Sequence, residues 1–217
     1  LAYPFVSYQP VQIEYKGQVI QGCASRDFLE EGEILIPLEK LYRRYTGESL
    51  AVKLAEFSEV TERIQYLTDE VEKITELRDF GRYLTAMLEI DAFFLNEDRH
   101  TNNIAVIYQE KTQQYALSPL FDQGLCLLAD MKVDYPLERP LETCLEHVEA
   151  KPFSADFDEQ LEAAEALYGI QLQFHFSLKE VQRELEQIAE EYPEGVRERV
   201  NQLLRQQIRK YAYLIKA

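Results

Sequence analysis

Asp98, Asn103 and Asp122 are the residues whose types and spacing could do chemistry in this chain. Asn103 stands five residues after Asp98 in the run Asp98-Arg99-His100-Thr101-Asn102-Asn103, and Asp122 stands nineteen after Asn103, two before Gly124. Two carboxylates and an amide offer oxygen ligands, which suit a hard cation such as Mg²⁺. Transfer of a phosphoryl group from ATP needs a carboxylate near the acceptor hydroxyl and oxygen ligands that position Mg²⁺ on the phosphates. Asp98 suits the first role, and Asn103 with Asp122 the second.

Convergence of the three depends on the elements around them. An apolar helix over 79–95, with Phe80, Tyr83, Leu84, Met87, Leu88 and Phe94, delivers the polar cluster. Strands follow at Ile104 to Tyr108 and Tyr115 to Leu120, and pairing about Lys111-Thr112 places the start of one beside the end of the other. Asp98, His100, Asn103 and Asp122 then gather at one end of a ribbon. By itself D-R-H-x-x-N is weak, because Asp, Asn and His are common in loops before strands. A second Asp at the far end of the same hairpin is harder to explain by turn chemistry. Asp91, in the last turns of the helix, reads as a hydrogen-bonding support for the loop.

Before this stretch, residues 3–29 read as β: Val11 to Tyr15 and Val19 to Cys23 flank a turn at Lys16-Gly17-Gln18. Residues 30–33 read as a loop. Pro37 opens a short helix, Leu38 to Tyr45, ended by Gly47. Val60, Ile64, Leu67, Val71, Ile74 and Leu77 predict a helix over 59–78 by their spacings of three and four. After the hairpin, helices are expected at Leu137 to Val148 and Ala155 to Leu167, with an aromatic stretch from Gln171 to Phe176. Ser177-Leu178-Lys179-Glu180 matches a capping box for a helix to about Glu191, and Pro193 opens the last one. No repeat, low-complexity tract or linker interrupts the chain.

With 217 residues, the chain can bury roughly 70% of its unfolded surface without disulfides or metals. A net charge of −16 argues against a nucleic-acid role, since phosphate-backbone binding relies on Lys and Arg. The three cysteines, Cys23, Cys126 and Cys144, form no C-x-x-C, so a reducing cytoplasmic setting is expected, with no zinc site or disulfide framework. No apolar run approaches the 18 or more residues of a membrane span, and no signal peptide is visible. The first residue is Leu, so a processed or excised piece is expected. Neither H-E-x-x-H nor G-x-S-x-G occurs, which argues against a zinc hydrolase and an α/β-hydrolase nucleophile. Paired carboxylates also serve glycoside cleavage, but the Asn between them suits a cation better.

The runs N-E-D-R-H-T-N-N-I and L-S-P-L-F-D-Q-G resemble the HipA-like Ser/Thr kinases, and more closely their cell-translocating kinase A branch. The resemblance extends from Tyr15-Lys16-Gly17-Gln18-Val19-Ile20 through Asp27-Phe28 and along the flanking helices, covering most of the chain. It implies an α+β fold: a protein-kinase-like C-lobe, mainly helical with an embedded β-hairpin, preceded by the small β portion of an incomplete N-lobe. Residues 1–29 would be the remnant of N-lobe strands and hinge, and 30–217 the C-lobe. Asp98 would be the catalytic base, with His100 in the catalytic loop, and Asn103 and Asp122 would bind metal. Cys23 and Ala24 would lie near the adenine-contacting hinge. Mg²⁺ and ATP are the implied cofactors, an unknown protein the substrate, and a toxin–antitoxin-like setting the context.

Such kinases also use a glycine-rich loop and a strand lysine, and neither occurs here: the eight glycines are dispersed. Residues 125–153, where an activation segment would fall, hold no decodable motif. Three functions therefore stand: a HipA-like phosphotransferase, a non-catalytic kinase-like module that binds a protein partner, and a metal-dependent phosphoesterase using the same oxygens.

Overall fold

The computed structural model describes residues 3–216. Strands β1 (Tyr8–Tyr15) and β2 (Gln18–Ser25) form an antiparallel hairpin in register from Tyr8↔Ser25 to Tyr15↔Gln18. Its turn places Lys16 and Gly17 at positive φ. Both faces are largely exposed, including Ile13, Val19 and Ile20.

A second, three-stranded sheet carries the candidate site. Strand β3 (Glu33–Pro37) pairs antiparallel with β4 (Ala105–Gln109), which pairs with β5 (Gln114–Leu117). The embedded hairpin is where the sequence puts it; β3 is not anticipated from sequence. Glu33-Ile34-Leu35-Ile36-Pro37 is short, follows a Glu- and Gly-rich turn and is closed by proline, so it shows little strand signal alone. Its partner lies far along the chain: Leu35 pairs with Ile107. Long-range pairing decides this strand, as strand propensity depends on context.

Proline then converts strand to helix. Pro37 caps α1 (Leu38–Thr46), and Gly47 ends it at φ 82°, where a side chain would be strained. The short helix α2 (Leu50–Leu54) follows, then α3 (Val60–Thr75), whose buried Val60, Ile64, Leu67 and Val71 lie on the expected stripe. Glu76 stops α3 in the left-handed region, somewhat before residue 78.

Helix α4 (Phe80–Phe94) is the axis of the body, buried nearly all round. It packs on α6 (Phe157–Tyr168) at Gly81, where an added Cβ would lie 2.4 Å from the Tyr168 ring. The helix expected over 137–148 forms only as α5 (Leu141–Leu145): it starts late because Pro140 takes an extended conformation and disfavours helix at Arg139, and it ends before Val148.

Ser177 and Glu180 form the full capping box at the start of α7 (Leu178–Gln187). That helix stops short of Glu191: Pro193 lies ahead, and Glu190 and Glu191 would sit at the negative end of the helix dipole. Pro193 caps α8 (Glu194–Lys210), which buries Leu203 and Leu204 and whose Gln207 amide bonds the carbonyls of Ala92 and Phe93. The aromatic stretch contributes Phe174, which bridges to Ile215 and packs 4.7 Å from Phe93 between ring centroids. Among the described residues no helix is long and apolar enough to cross a membrane.

Candidate active site

The loop between α4 and β4 is built around Arg99, a fully buried guanidinium. Its Nε and Nη2 donate to both carboxylate oxygens of Asp91, at 2.7 and 2.9 Å. Its Nη1 donates to the Asn103 carbonyl at 2.8 Å and to the Phe121 carbonyl at 3.0 Å. One rigid, planar fork thus ties the end of α4, the start of β4 and the residue before Asp122. Burial alone would favour loss of the charge, but Asp91 outweighs it and holds Arg99 more firmly protonated.

Asp91 supports the loop in a second way: Asn96 Nδ2 donates to its Oδ1 at 2.8 Å, and Asn96 Oδ1 accepts the Asp98 amide at 3.2 Å. Leu95, at φ 53°, turns the chain out of α4. Asp98 emerges partly exposed, its Oδ1 3.7 Å from His100 Nε2 and 3.7 Å from Lys151 Nζ. Asn103 closes the loop by donating Nδ2 to the Asp98 carbonyl at 2.9 Å. A longer contact of 3.4 Å runs from the same nitrogen to Asp98 Oδ2. These bonds use the amide nitrogen and leave Asn103 Oδ1 free of any donor among the described residues.

Asp122 lies beyond the other end of the hairpin. The Leu120 amide donates to the Pro4 carbonyl and the Leu120 carbonyl accepts from Val6, both at 2.9 Å. The rings of Phe121 and Phe28 stand 6.2 Å apart. The Asp122 amide donates to the Tyr8 hydroxyl at 3.2 Å. Asp122 itself sits at φ 58°, a conformation Asp tolerates better than most residues, and its exposed carboxylate makes no bond or ion pair among the described residues.

The floor of the site is fixed from other directions. Glu39 on α1 accepts from Thr101 at 3.2 Å and from the Ala51 amide at 3.1 Å. Burial pushes its carboxyl up, but hydrogen bonds from Ser49, Ala51, Arg43 and Thr101 outweigh this and hold it below the usual carboxylate range. Glu97 accepts from the Tyr135 hydroxyl, and its amide donates to the Leu125 carbonyl at 3.3 Å, which ties the loop to the segment after Gly124. Burial raises the Glu97 carboxyl despite that bond. Cys126 is a neutral thiol: burial pushes it up to about 12, Asp91 adds to the shift and Arg99 opposes it.

Asn103 and Asp122 are therefore presented on neighbouring backbone held by one guanidinium, with Asp98 and His100 on the same loop. No group of three or more His, Cys, Asp and Glu among the described residues has metal-ligating geometry. The proposed ligands, Asp122 and Asn103, bring one carboxylate and one amide oxygen. An all-oxygen set with an unbonded amide oxygen and an unbonded carboxylate fits Mg²⁺, which keeps several waters and takes few protein ligands. Cys23 and Ala24 are exposed on β2, opposite Pro10 and Gln9. They follow directly up the hairpin from the Tyr8↔Ser25 rung that reaches Asp122.

Sequence reasoning missed Tyr8, Glu39 and Lys151. Glu39 carried a faint signal as the partner of Arg43 one helical turn on. Tyr8 and Lys151 carried none, because each meets the site only through long-range folding.

A mainly helical body with this hairpin is the C-lobe fold of a protein kinase, with a small antiparallel portion ahead of it. The crystal structure of the Helicobacter pylori proinflammatory kinase CtkA is similar, with a TM-score of 0.58 and 15% identity, over 95% of this chain and 78% of that one. The fold implied by the resemblance to HipA-like kinases is thereby met. At that identity the likeness carries the fold, and the chemistry must be argued from this chain's own residues. No family model and no curated protein matches the chain.

Proposed function

We propose that this chain is a HipA-like phosphotransferase that moves the γ-phosphoryl group of ATP to a Ser or Thr hydroxyl of a protein, with Mg²⁺. On this reading residues 1–29 are the remnant of N-lobe strands and hinge, and 30–217 the helical C-lobe. The observation that carries this reading is the Arg99 fork, which bonds the carbonyls of Asn103 and Phe121 at 2.8 and 3.0 Å while Asp91 neutralises it. This supports the reading because the backbone at Asn103 and the backbone next to Asp122 are fixed to one group, on the loop that carries the partly exposed Asp98.

Asn103 and Asp122 would hold Mg²⁺, which supplies charge neutralisation and alignment of the phosphates. Asp98 orients the acceptor hydroxyl and accepts its proton as the oxygen attacks phosphorus. His100, beside Asp98 and bonded through its amide to the Asp98 carbonyl at 2.9 Å, shapes the loop. Its Nδ1 is buried without a partner among the described residues, which leaves Nε2 as the open nitrogen, on the Asp98 side. The adenine is assigned to the hairpin edge at Cys23 and Ala24. A cytoplasmic setting suits three free cysteines.

General-base contributions run to about 10²–10⁴-fold. Asp98→Asn should lower phosphate transfer from radiolabelled ATP by that factor while leaving the fold intact. An Asp98→Asn protein as fast as the wild type overturns the assignment. The alternative, a non-catalytic module that binds a protein partner, is favoured by the exposed β1–β2 hairpin and the dispersed glycines. It expects no heat of Mg·ATP binding by calorimetry, where the phosphotransferase expects a saturable one.

A further inference from the structure

Lys151 reaches the candidate site from the segment just before α6, and nothing in its neighbourhood in sequence marks it. Its backbone is set firmly. Ala150 and Phe153 on either side are buried, at 4% and 0% exposure. The Ala150 amide donates to the Ala155 carbonyl at 2.8 Å, and the Phe153 carbonyl accepts from Arg63 Nη1 at 2.5 Å. From this fixed segment the half-exposed side chain extends to place its ammonium 3.7 Å from Asp98 Oδ1. At that separation, and in contact with water, such an ion pair contributes little to folding.

The charge around it is one-sided. Asp98 pairs with it directly, and Glu97, beside the Glu149 backbone and Asp134, lies within reach of its charge. Arg99 cannot serve a ligand, since it is fully buried and its donors are taken by Asp91, Asn103 and Phe121. His100 shares the same Asp98 oxygen at 3.7 Å but is a cation only when protonated. Among the described residues Lys151 is thus the ammonium placed at the Asp98 carboxylate, 3.7 Å from Oδ1 on a half-exposed side chain. Phosphoryl transfer develops negative charge on the phosphoryl oxygens, and a placed ammonium stabilises it.

We infer that Lys151 binds the transferring γ-phosphoryl group of a nucleoside triphosphate and holds it against the hydroxyl activated by Asp98. The inference rests on the phosphotransferase reading. In the step it serves, the acceptor oxygen bonds to the γ-phosphorus as the bond from phosphorus to the β,γ-bridging oxygen breaks. The electron pair of that bond leaves with ADP, and the hydroxyl proton passes to Asp98 and not to Lys151.

The test uses the 217-residue chain, Lys151→Met and Lys151→Arg, with melting curves to check the fold. Calorimetry with Mg·ATP and Mg·ADP is run beside ADP release in the presence of Ser/Thr peptides. Wild type should bind Mg·ATP more tightly than Mg·ADP. Lys151→Met should lose that preference while keeping its Mg·ADP affinity, and its kcat should fall about 10²–10³-fold, the scale for one lost electrostatic donor. Lys151→Arg should recover part of both. A Lys151→Met protein with wild-type kcat and an unchanged ATP-to-ADP preference overturns the role of Lys151 and leaves the phosphotransferase standing. A rise in kcat does the same, marking Lys151 as a block on Asp98. A folded wild type that neither binds Mg·ATP nor turns it over overturns the phosphotransferase reading, and the role of Lys151 with it.

Discussion

Asp91 and Arg99 form a completely buried pair with side-chain exposures of 0% and 0%, and the cost of separating them follows from that. Removing one partner strands a charge away from water, which destabilises by about 3–5 kcal/mol. Arg99→Met should therefore lower the midpoint of urea unfolding sharply, and it should also release the carbonyls of Asn103 and Phe121. The double variant Asp91→Asn with Arg99→Met should cost clearly less than the sum of the singles; additive costs would mean the two do not act as a unit.

A second buried carboxylate behaves oppositely. Glu89 on α4 is 0% exposed, accepts the Gln171 amide at 2.7 Å through Oε1, and leaves Oε2 without a hydrogen bond among the described residues. Burial pushes it up to about 7 from 4.5; Glu165 on α6 adds to the shift, and the amides of Gln171 and Leu172 oppose it. Tyr213, bonded to Glu165, also faces this region and adds no cation. The folded chain thus keeps a proton that the unfolded chain has released, so stability falls as pH rises from about 4.5 to about 7. Glu89→Gln should flatten that slope and raise stability at pH 8 by about 1–3 kcal/mol, measured by urea unfolding at pH 5 and pH 8. A loss at pH 8 would show instead that the ionised carboxylate is bonded.

Among the elements, α4 and α6 pack closely at a single glycine. The Tyr168 ring lies where a Cβ on Gly81 would be, at 2.4 to 2.7 Å. Gly to Ala inside a helix ordinarily stabilises by about 1 kcal/mol. Here the sign should reverse, with Gly81→Ala losing about 1–3 kcal/mol because a packed ring must shift. Tyr168→Ala in the Gly81→Ala background should make the alanine favourable again; melting curves of the four proteins decide it. At α7 the effect is local: Ser177 accepts the Glu180 amide, and Glu180 accepts the Ser177 amide at 2.8 Å. Ser177→Ala should cost about 1 kcal/mol. Because α7 buries no residue fully, that loss should appear as faster hydrogen exchange in 178–187.

Across the whole molecule, the net charge of −16 opposes compaction. Raising NaCl from about 10 mM to about 300 mM, which shortens the screening length from about 30 Å to under 8 Å, should raise the melting temperature. The Asp91–Arg99 pair, shielded from solvent, should contribute equally at both salts, so Arg99→Met should lose the same stability at each. On the proposed phosphotransferase reading, this acidic surface would repel acidic peptides and favour basic acceptors, a preference that salt should erase.

Much of this molecule was legible in the sequence wherever the information is local. The apolar stripe of α3, the Pro37–Gly47 brackets of α1, the capping box of α7 and the hairpin about Lys111 all follow from spacing and turn chemistry within a few residues. The hairpin also brought Asp98, Asn103 and Asp122 toward one end, and the support role of Asp91 was readable from its position in the last turns of α4. What only the tertiary structure decided depends on partners far apart in the chain. Strand β3 exists because β4 pairs with it. Tyr8 meets the Asp122 amide and Lys151 meets Asp98 only after the chain has folded. The physical reason is the range of the forces: dihedral preference and periodicity act over a few residues. The charges, hydrogen bonds and close packing that complete the candidate site act across space, between residues whose separation in sequence carries no mark of their meeting.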